Sequence, residues 1–335
     1  MKLTPALPDG RELGRRLREH DLTAAPAALN LIESRSPNAR GPTQELLAQV
    51  SPAALGAEAP GHVIGVTGPP GVGKSSLLSR LVAEWRRRSR SVAVLAVDPS
   101  SRRSGGSLLG DRVRIEADPR DKSVFVRSTA AGNRLGGLAP ATRAAAAALA
   151  AAFDVVVIET VGVGQSETEV ADVADTVAVV LQPASGDVLQ FLKAGIMEVP
   201  DVLVLTKADL ETPARRALAD LNAALLALGA SDTAVCAVSS VAPPSGIDRL
   251  ADALDAHRAA VDLSARRLHA RRRHALDDFI AEHGERGLRA LGGRREAQRW
   301  LERQGPELDV PTLERALEAQ AEESQAEESQ ADERQ

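Results

Sequence analysis

Eight consecutive residues, Gly68-Pro69-Pro70-Gly71-Val72-Gly73-Lys74-Ser75, have the spacing G-x-x-x-x-G-K-[ST]. That pattern makes a phosphate cradle. Glycines let backbone N–H groups converge on phosphate oxygens without a Cβ in the way, and a following helix adds the partial positive charge of its N-terminus. Lys74 is placed to reach the β- and γ-phosphates, and Ser75 to hold Mg²⁺, with Ser76 counted in the same nucleotide-binding set. Three acids further along suit a hard cation bridging phosphates: Asp98, Asp111 and Glu159. Asp98 and Glu159 each close an apolar run, and Asp111 stands in the glycine-rich Gly105–Arg112. Gly162 could offer its N–H to a γ-phosphate, and Gln165 could orient an attacking water. Downstream, Thr206-Lys207-Ala208-Asp209 is close to Asn-Lys-x-Asp, the guanine-reading pattern, with Thr in place of Asn. The Asp209 carboxylate can accept from guanine's N1–H and N2–H₂, a donor pair adenine lacks, while the Lys207 stem covers the ring. Ser239-Ser240 would form a second base loop.

These groups need a scaffold that brings them to one edge. His62–Thr67 reads as a short buried strand, and the segment from Ser76 to Trp85 as an amphipathic helix. Further apolar runs at Ser91–Asp98, Ser123–Arg127, Asp154–Thr160, Thr176–Gln182, Val202–Thr206 and Thr233–Ser239 are separated by helical stretches, including the alanine-rich Ala139–Ala152. Runs this apolar, alternating with helices, predict an α/β fold: a P-loop NTPase with a mostly parallel central sheet flanked by helices. Right-handed crossovers then line the strand C-termini along one edge, where ligands bind. The remaining segments read as an N-terminal helical extension over 1–58, a nucleotide-binding domain over 59–260, a C-terminal helical arm over 261–320 and a disordered acidic repeat over 321–335.

With 335 residues, 44% of them hydrophobic, the chain can bury a large core, and at 2% aromatic content aliphatic side chains must fill it. Its single cysteine, Cys236, excludes an internal disulfide framework or a cysteine-rich metal site and reads as a small apolar residue. The net charge is −5, and the AEESQ-AEESQ-ADERQ tail holds six acids and one arginine, so residues 1–320 sum to zero. No general affinity for nucleic acid is expected from that balance. The basic runs Arg86–Arg88 and Arg271–Arg273 read as solvated helix faces. Neither a leader-like apolar segment nor a stretch of about 18 apolar residues occurs, which makes a cytoplasmic protein with no membrane contact the expectation.

Taken together, GVTGPPGVGKSSL, AVDPSSRRSGGSLLGDRVRIE, VFVRSTAAGNRLGGLA, DVVVIETVGVGQSE and SGDVLQFLKAGIMEVPDVLVLTKADL, with ALNLIESRSP more weakly, resemble the MeaB/ArgK family of P-loop GTPases, the chaperones of adenosylcobalamin-dependent acyl-CoA mutases. The resemblance runs from about residue 10 to 290. It implies a GTPase that binds GTP and GDP with Mg²⁺, with Lys74 and Ser75 on the phosphates and the metal, and Asp98, Asp111 and Glu159 organising the metal and hydrolysis. A homodimer through the C-terminal helices is implied too, with a switch over Pro183–Ile196 reporting nucleotide state to the mutase, methylmalonyl-CoA mutase or a relative. Three departures stand out: Thr206, the charged Arg102-Arg103-Ser104, and the acidic tail. Asp255-Ala256-His257 is superficially similar to a cobalt-ligating Asp-x-His-x-x-Gly, but it lacks the glycine and reads as helix, so no direct cobalamin binding is expected. Two alternatives share this architecture or label: a nickel-insertion GTPase, which would want a Cys/His cluster, and a kinase of a small substrate or a transport protein, which would want an acceptor pocket.

Overall fold

The computed structural model describes residues 8–98, 115–116, 118–130, 138–160, 170–183 and 200–332, with the backbone alone for Asp98, Ala130 and 327–332. Contacts divide the chain into two compact units. One comprises residues 19–26 and 60–261, the other 1–18, 27–59 and 262–335.

Among the described residues, the first unit is built on seven strands: β1 (His62–Thr67), β2 (Val92–Asp98), β3 (Val124–Ala130), β4 (Val155–Thr160), β5 (Thr176–Leu181), β6 (Val202–Leu205) and β7 (Ala234–Ala237). They form one sheet in the order β3-β2-β4-β1-β5-β6-β7, and every pairing is parallel. This is the α/β architecture expected from the apolar runs, and β1, β4 and β5 are buried at every position. Alternate residues divide between the two faces. Ile64, Val66, Val94, Val157, Val180 and Val204 form one cluster with residues of α5 (Lys74–Arg87) and α8 (Ile247–Ala260), including Leu78, Trp85 and Leu250. The alanine-rich α6 (Pro140–Ala150) packs on β4, β1 and β2, and α7 (Thr212–Ala227) on β6 and β7.

At the amino ends of the strands a relay of polar groups replaces apolar packing. His62 Nε2 lies 2.8 Å from Thr176 Oγ1, which lies 2.9 Å from His257 Nδ1, and His257 Nε2 lies 3.1 Å from Asp201 Oδ1. His257 is therefore engaged at both ring nitrogens within the helix α8.

The second unit holds α1 (Gly10–Arg18), α2 (Ala25–Ile32), α3 (Arg40–Gln49), α4 (Pro52–Leu55), α9 (Leu263–Ala290), α10 (Arg294–Glu302) and α11 (Val310–Asp332); the first residues of α2 belong to the other unit. The first and last helices of the chain thus share one unit. Leu276, Phe279, Leu288, Leu301, Leu313 and Leu317 pack together among the last three helices. Gly284 interrupts α9 with a left-handed φ of 63°. The acidic repeat, expected to be disordered from residue 321, continues α11 to Asp332. Ala321 is 6% exposed in the helical core, and Ala, Glu and Gln are good helix formers.

One other expectation changes. The arginine runs are not simply solvated: Arg86 pairs with Asp121 at 2.7 Å, Arg88 with Asp252 at 2.7 Å, and Arg271 with Glu58 at 2.9 Å. Long stems and fixed guanidinium forks let them cross-link elements. Cys236 is half-buried in β7, and that burial pushes its thiol pKa up. Among the described residues, no helix is long and apolar enough to cross a membrane.

Candidate functional site

The phosphate loop leaves β1 at Gly68 and enters α5 at Lys74. Two of its glycines are required by geometry. Gly68 has φ 145°, and a Cβ there would lie 2.2 Å from the Val180 carbonyl oxygen of β5. Gly73 caps α5 in the left-handed region, with φ 96°. Both conformations disfavour residues with a Cβ. Pro70, Gly71 and Ser76 are exposed at the loop surface, while Val72 is buried beneath it.

Lys74 is only 7% exposed, and its Nζ donates to the carbonyls of Gly68 at 2.6 Å and Pro69 at 3.0 Å. The ammonium is thereby held over its own loop, in the concavity that backbone N–H groups line in such turns. Ser75 Oγ donates to Glu159 Oε1 at 3.0 Å. Register explains the meeting: Glu159 pairs with Val66 of β1 and Ala96 of β2, so the end of β4 stands beside the root of the loop. A hydroxyl and a carboxylate placed together are hard oxygen donors of the kind Mg²⁺ takes.

The loop expected from the sequence to read a base lies across the sheet edge, after β6. Lys207 and Asp209 are exposed, whereas Thr206 is buried. Lys207 adopts a left-handed backbone with φ 54°, and its Nζ donates to Gln182 Oε1 just after β5. Asp209 Oδ1 accepts from Ser239 Oγ at 2.7 Å, which fixes the carboxylate's orientation. Ser240 is held through its carbonyl, which accepts from Arg80 Nε at 3.1 Å. Ser239 and Ser240 thus join the loop of Thr206, Lys207 and Asp209, the grouping read from the sequence.

Asp98 ends β2 on the same sheet edge. Asp111, Gly162, Gln165 and most of the Pro183–Ile196 segment lie outside the described residues. Three supporting groups carried no signal in the sequence. Gln182 and Arg80 are ordinary polar residues on their elements, and the Val72 carbonyl, which accepts from Thr206 Oγ1, is backbone.

A parallel sheet with a glycine phosphate loop after its central strand, and lysine, serine and carboxylate converging there, defines a P-loop nucleoside triphosphatase. The sequence model of the methylmalonyl Co-A mutase-associated GTPase MeaB matches residues 25–287. A protein of Pyrococcus abyssi whose name describes it as a GTPase is 39% identical over 277 residues, 80% of this chain and 82% of its own. The "Probable GTPase" of Mycobacterium tuberculosis is 43% identical over 212 residues, 62% of each chain. The "Methylmalonic aciduria type A homolog, mitochondrial" of Caenorhabditis elegans is 39% identical over 228 residues, 65% of this chain and 57% of that one. The chain therefore matches less than two thirds of the length of these last two relatives. Among solved structures, an LAO/AO transport system kinase superposes with a TM-score of 0.59 at 27% identity, covering 87% of this chain and 95% of that one. The chain belongs to the MeaB family and is a GTPase.

Proposed function

We propose that this GTPase is a chaperone for an adenosylcobalamin-dependent acyl-CoA mutase, methylmalonyl-CoA mutase in the first instance, gating cofactor loading and protecting the mutase from inactivation. The observation that carries this reading is the MeaB family match over residues 25–287. The name of the Caenorhabditis elegans relative is in keeping with it.

Nucleotide recognition divides between the two loops. Lys74 and the loop from Gly68 to Ser76 bind phosphates, with Gly162 on the γ-phosphate. Thr206, Lys207, Asp209, Ser239 and Ser240 form the guanine pocket. Bound Mg²⁺ would neutralise charge developing on the phosphates. Ser75 and Glu159, already 3.0 Å apart, are its natural holders, and Asp98 and Asp111 are assigned with them from the family resemblance. Gln165 is assigned to the attacking water from its place in the sequence shortly after Gly162. The segment Pro183–Ile196 is the proposed switch, ordered by GTP and released on hydrolysis. No cobalamin ligand is assigned: the imidazole of His257 is engaged by Thr176 and Asp201. The active form is proposed to be a cytoplasmic homodimer paired through α9–α11.

The test is GTP turnover, alone and with purified methylmalonyl-CoA mutase, with ATP as control and γ-labelled nucleotide. Stimulated release of phosphate to water from GTP alone supports the chaperone. Label retained on an acceptor supports a phosphotransferase, the activity in the name of the superposed kinase. Unstimulated turnover removes the mutase as partner.

A further inference from the structure

The buried hydroxyl of Thr206 joins the two halves of the site. Thr206 is 4% exposed, and its Oγ1 lies 2.7 Å from the carbonyl oxygen of Val72, inside the phosphate loop, and 3.0 Å from that of Leu181, the last residue of β5. The Thr206 N–H donates to the same Leu181 carbonyl at 2.9 Å. A hydroxyl carries one proton and both neighbours are acceptors, so that proton is committed inward, chiefly to the nearer Val72. Nothing remains to donate to a nucleobase. Branching at Cβ restricts the rotamer, so the strut is short and stiff.

From this geometry we infer that Thr206 is a positioning residue. It clamps the middle of the phosphate loop to the strand end that carries Lys207 and Asp209, and so sets the separation between the phosphate and base subsites. The inference rests on the guanine-nucleotide reading above and deepens it: base choice belongs to Asp209, affinity to the clamp. Two further contacts hold the same frame. Lys207 Nζ donates to Gln182 Oε1, one residue beyond β5, and the close approach of Gly68 to the Val180 carbonyl seats the other end of the loop on that strand. An unclamped loop must be ordered when nucleotide binds, and that ordering weakens binding without changing which base is read.

The decisive set is Thr206→Val, which keeps the shape and removes the donor, Thr206→Ser, which keeps the donor, and Asp209→Asn. Dissociation constants for GDP and ADP, the KM and kcat for GTP, and the melting temperature of each nucleotide-free protein would be measured. Loss of one hydrogen bond predicts a rise of about three- to tenfold in the GDP dissociation constant for Thr206→Val. KM should rise more than kcat falls, the GDP-to-ADP ratio should stay at its wild-type value, and Thr206→Ser should return to within about twofold of wild type.

Wild-type GDP affinity in Thr206→Val would overturn the clamp, as would a lowered melting temperature with unchanged affinity well below it. A collapsed GDP-to-ADP ratio in Thr206→Val would overturn it as well, by putting Thr206 at the base. If the wild type binds GDP and ADP equally, the guanine reading fails on its own. The Val and Ser pair then decides the clamp on either nucleotide, by the presence or absence of the same affinity difference.

Discussion

Ser75 Oγ and Glu159 Oε1 lie 3.0 Å apart, although 84 residues separate them in the chain. The parallel register of β1 and β4, which sets Glu159 beside Val66, brings the carboxylate to the first turn of α5. Replacing Glu159 by Gln keeps the shape and removes the charge. GTP turnover should fall about a hundredfold while GDP affinity changes little, because a metal's work is done mainly on charge that develops in the transition state. Phosphate release across a Mg²⁺ titration measures this, and unchanged turnover would remove Glu159 from the hydrolytic set.

Asp209 is held by Ser239 at 2.7 Å and presents its carboxylate in an exposed loop. Asp209→Asn replaces an acceptor with an amide that donates, which meets guanine's N1–H and N2–H₂ poorly and a carbonyl at that base position well. GTP affinity should fall about ten- to a hundredfold and xanthosine triphosphate affinity should rise. Competition between the two nucleotides reads both changes, and an unaltered ratio would place base recognition elsewhere.

Glu314 on α11 is pushed up to about 8, first by burial, then by the charge and hydrogen bond of Asp278, with Glu318 adding to the rise and Arg40 opposing it. A carboxyl whose folded pKa exceeds its unfolded value stabilises the fold at low pH. That contribution is complete below the ordinary glutamate range and is lost as pH rises through about 8. Urea midpoints between pH 5 and 9 should therefore fall on the alkaline side, and Glu314→Gln should flatten the slope. The gain at pH 9 should be on the order of a few kcal/mol at most, since the neighbouring charges relax. A parallel pH profile in the variant would refute the assignment.

The relay from His62 through Thr176 and His257 to Asp201 ties α8 to the amino ends of β1 and β5, the sheet edge opposite the phosphate loop. In the neutral tautomer that donates Nε2–H to Asp201, His257 Nδ1 accepts from Thr176, and Thr176 in turn accepts from His62 Nε2–H. Thr176→Val removes the hydroxyl from the buried ring nitrogen of His62 and the part-buried one of His257, which should cost about 1–3 kcal/mol of stability. GDP affinity should stay unchanged, since the relay stands away from the nucleotide edge. Calorimetric melting and nucleotide titration separate the two effects, and a loss of affinity without loss of stability would show that the relay acts on the site.

The two kinds of information divided along range. Local structure was legible in the chain: the glycine loop from Gly68 to Ser75, the buried runs that became β1 to β7, and the loop of Lys207 and Asp209 after β6 each depend on residues a few positions apart. Composition set where order was expected, and there the reading fell short. The acidic repeat looked too polar to fold, yet α11 extends through it to Asp332, carried by Ala321 in a core that residues far upstream complete. The arginine runs likewise looked solvated because their partners, Asp121, Asp252 and Glu58, lie elsewhere in the chain.

By itself the sequence determined the strands, the phosphate cradle and the family, because steric and polar demands of a few neighbouring residues specify each. Only the tertiary structure decided that Glu159 meets Ser75, that Ser239 orients Asp209, and that Thr206 turns its hydroxyl inward to Val72. Those meetings depend on strand order and register, and these are set by how the whole sheet buries its two faces.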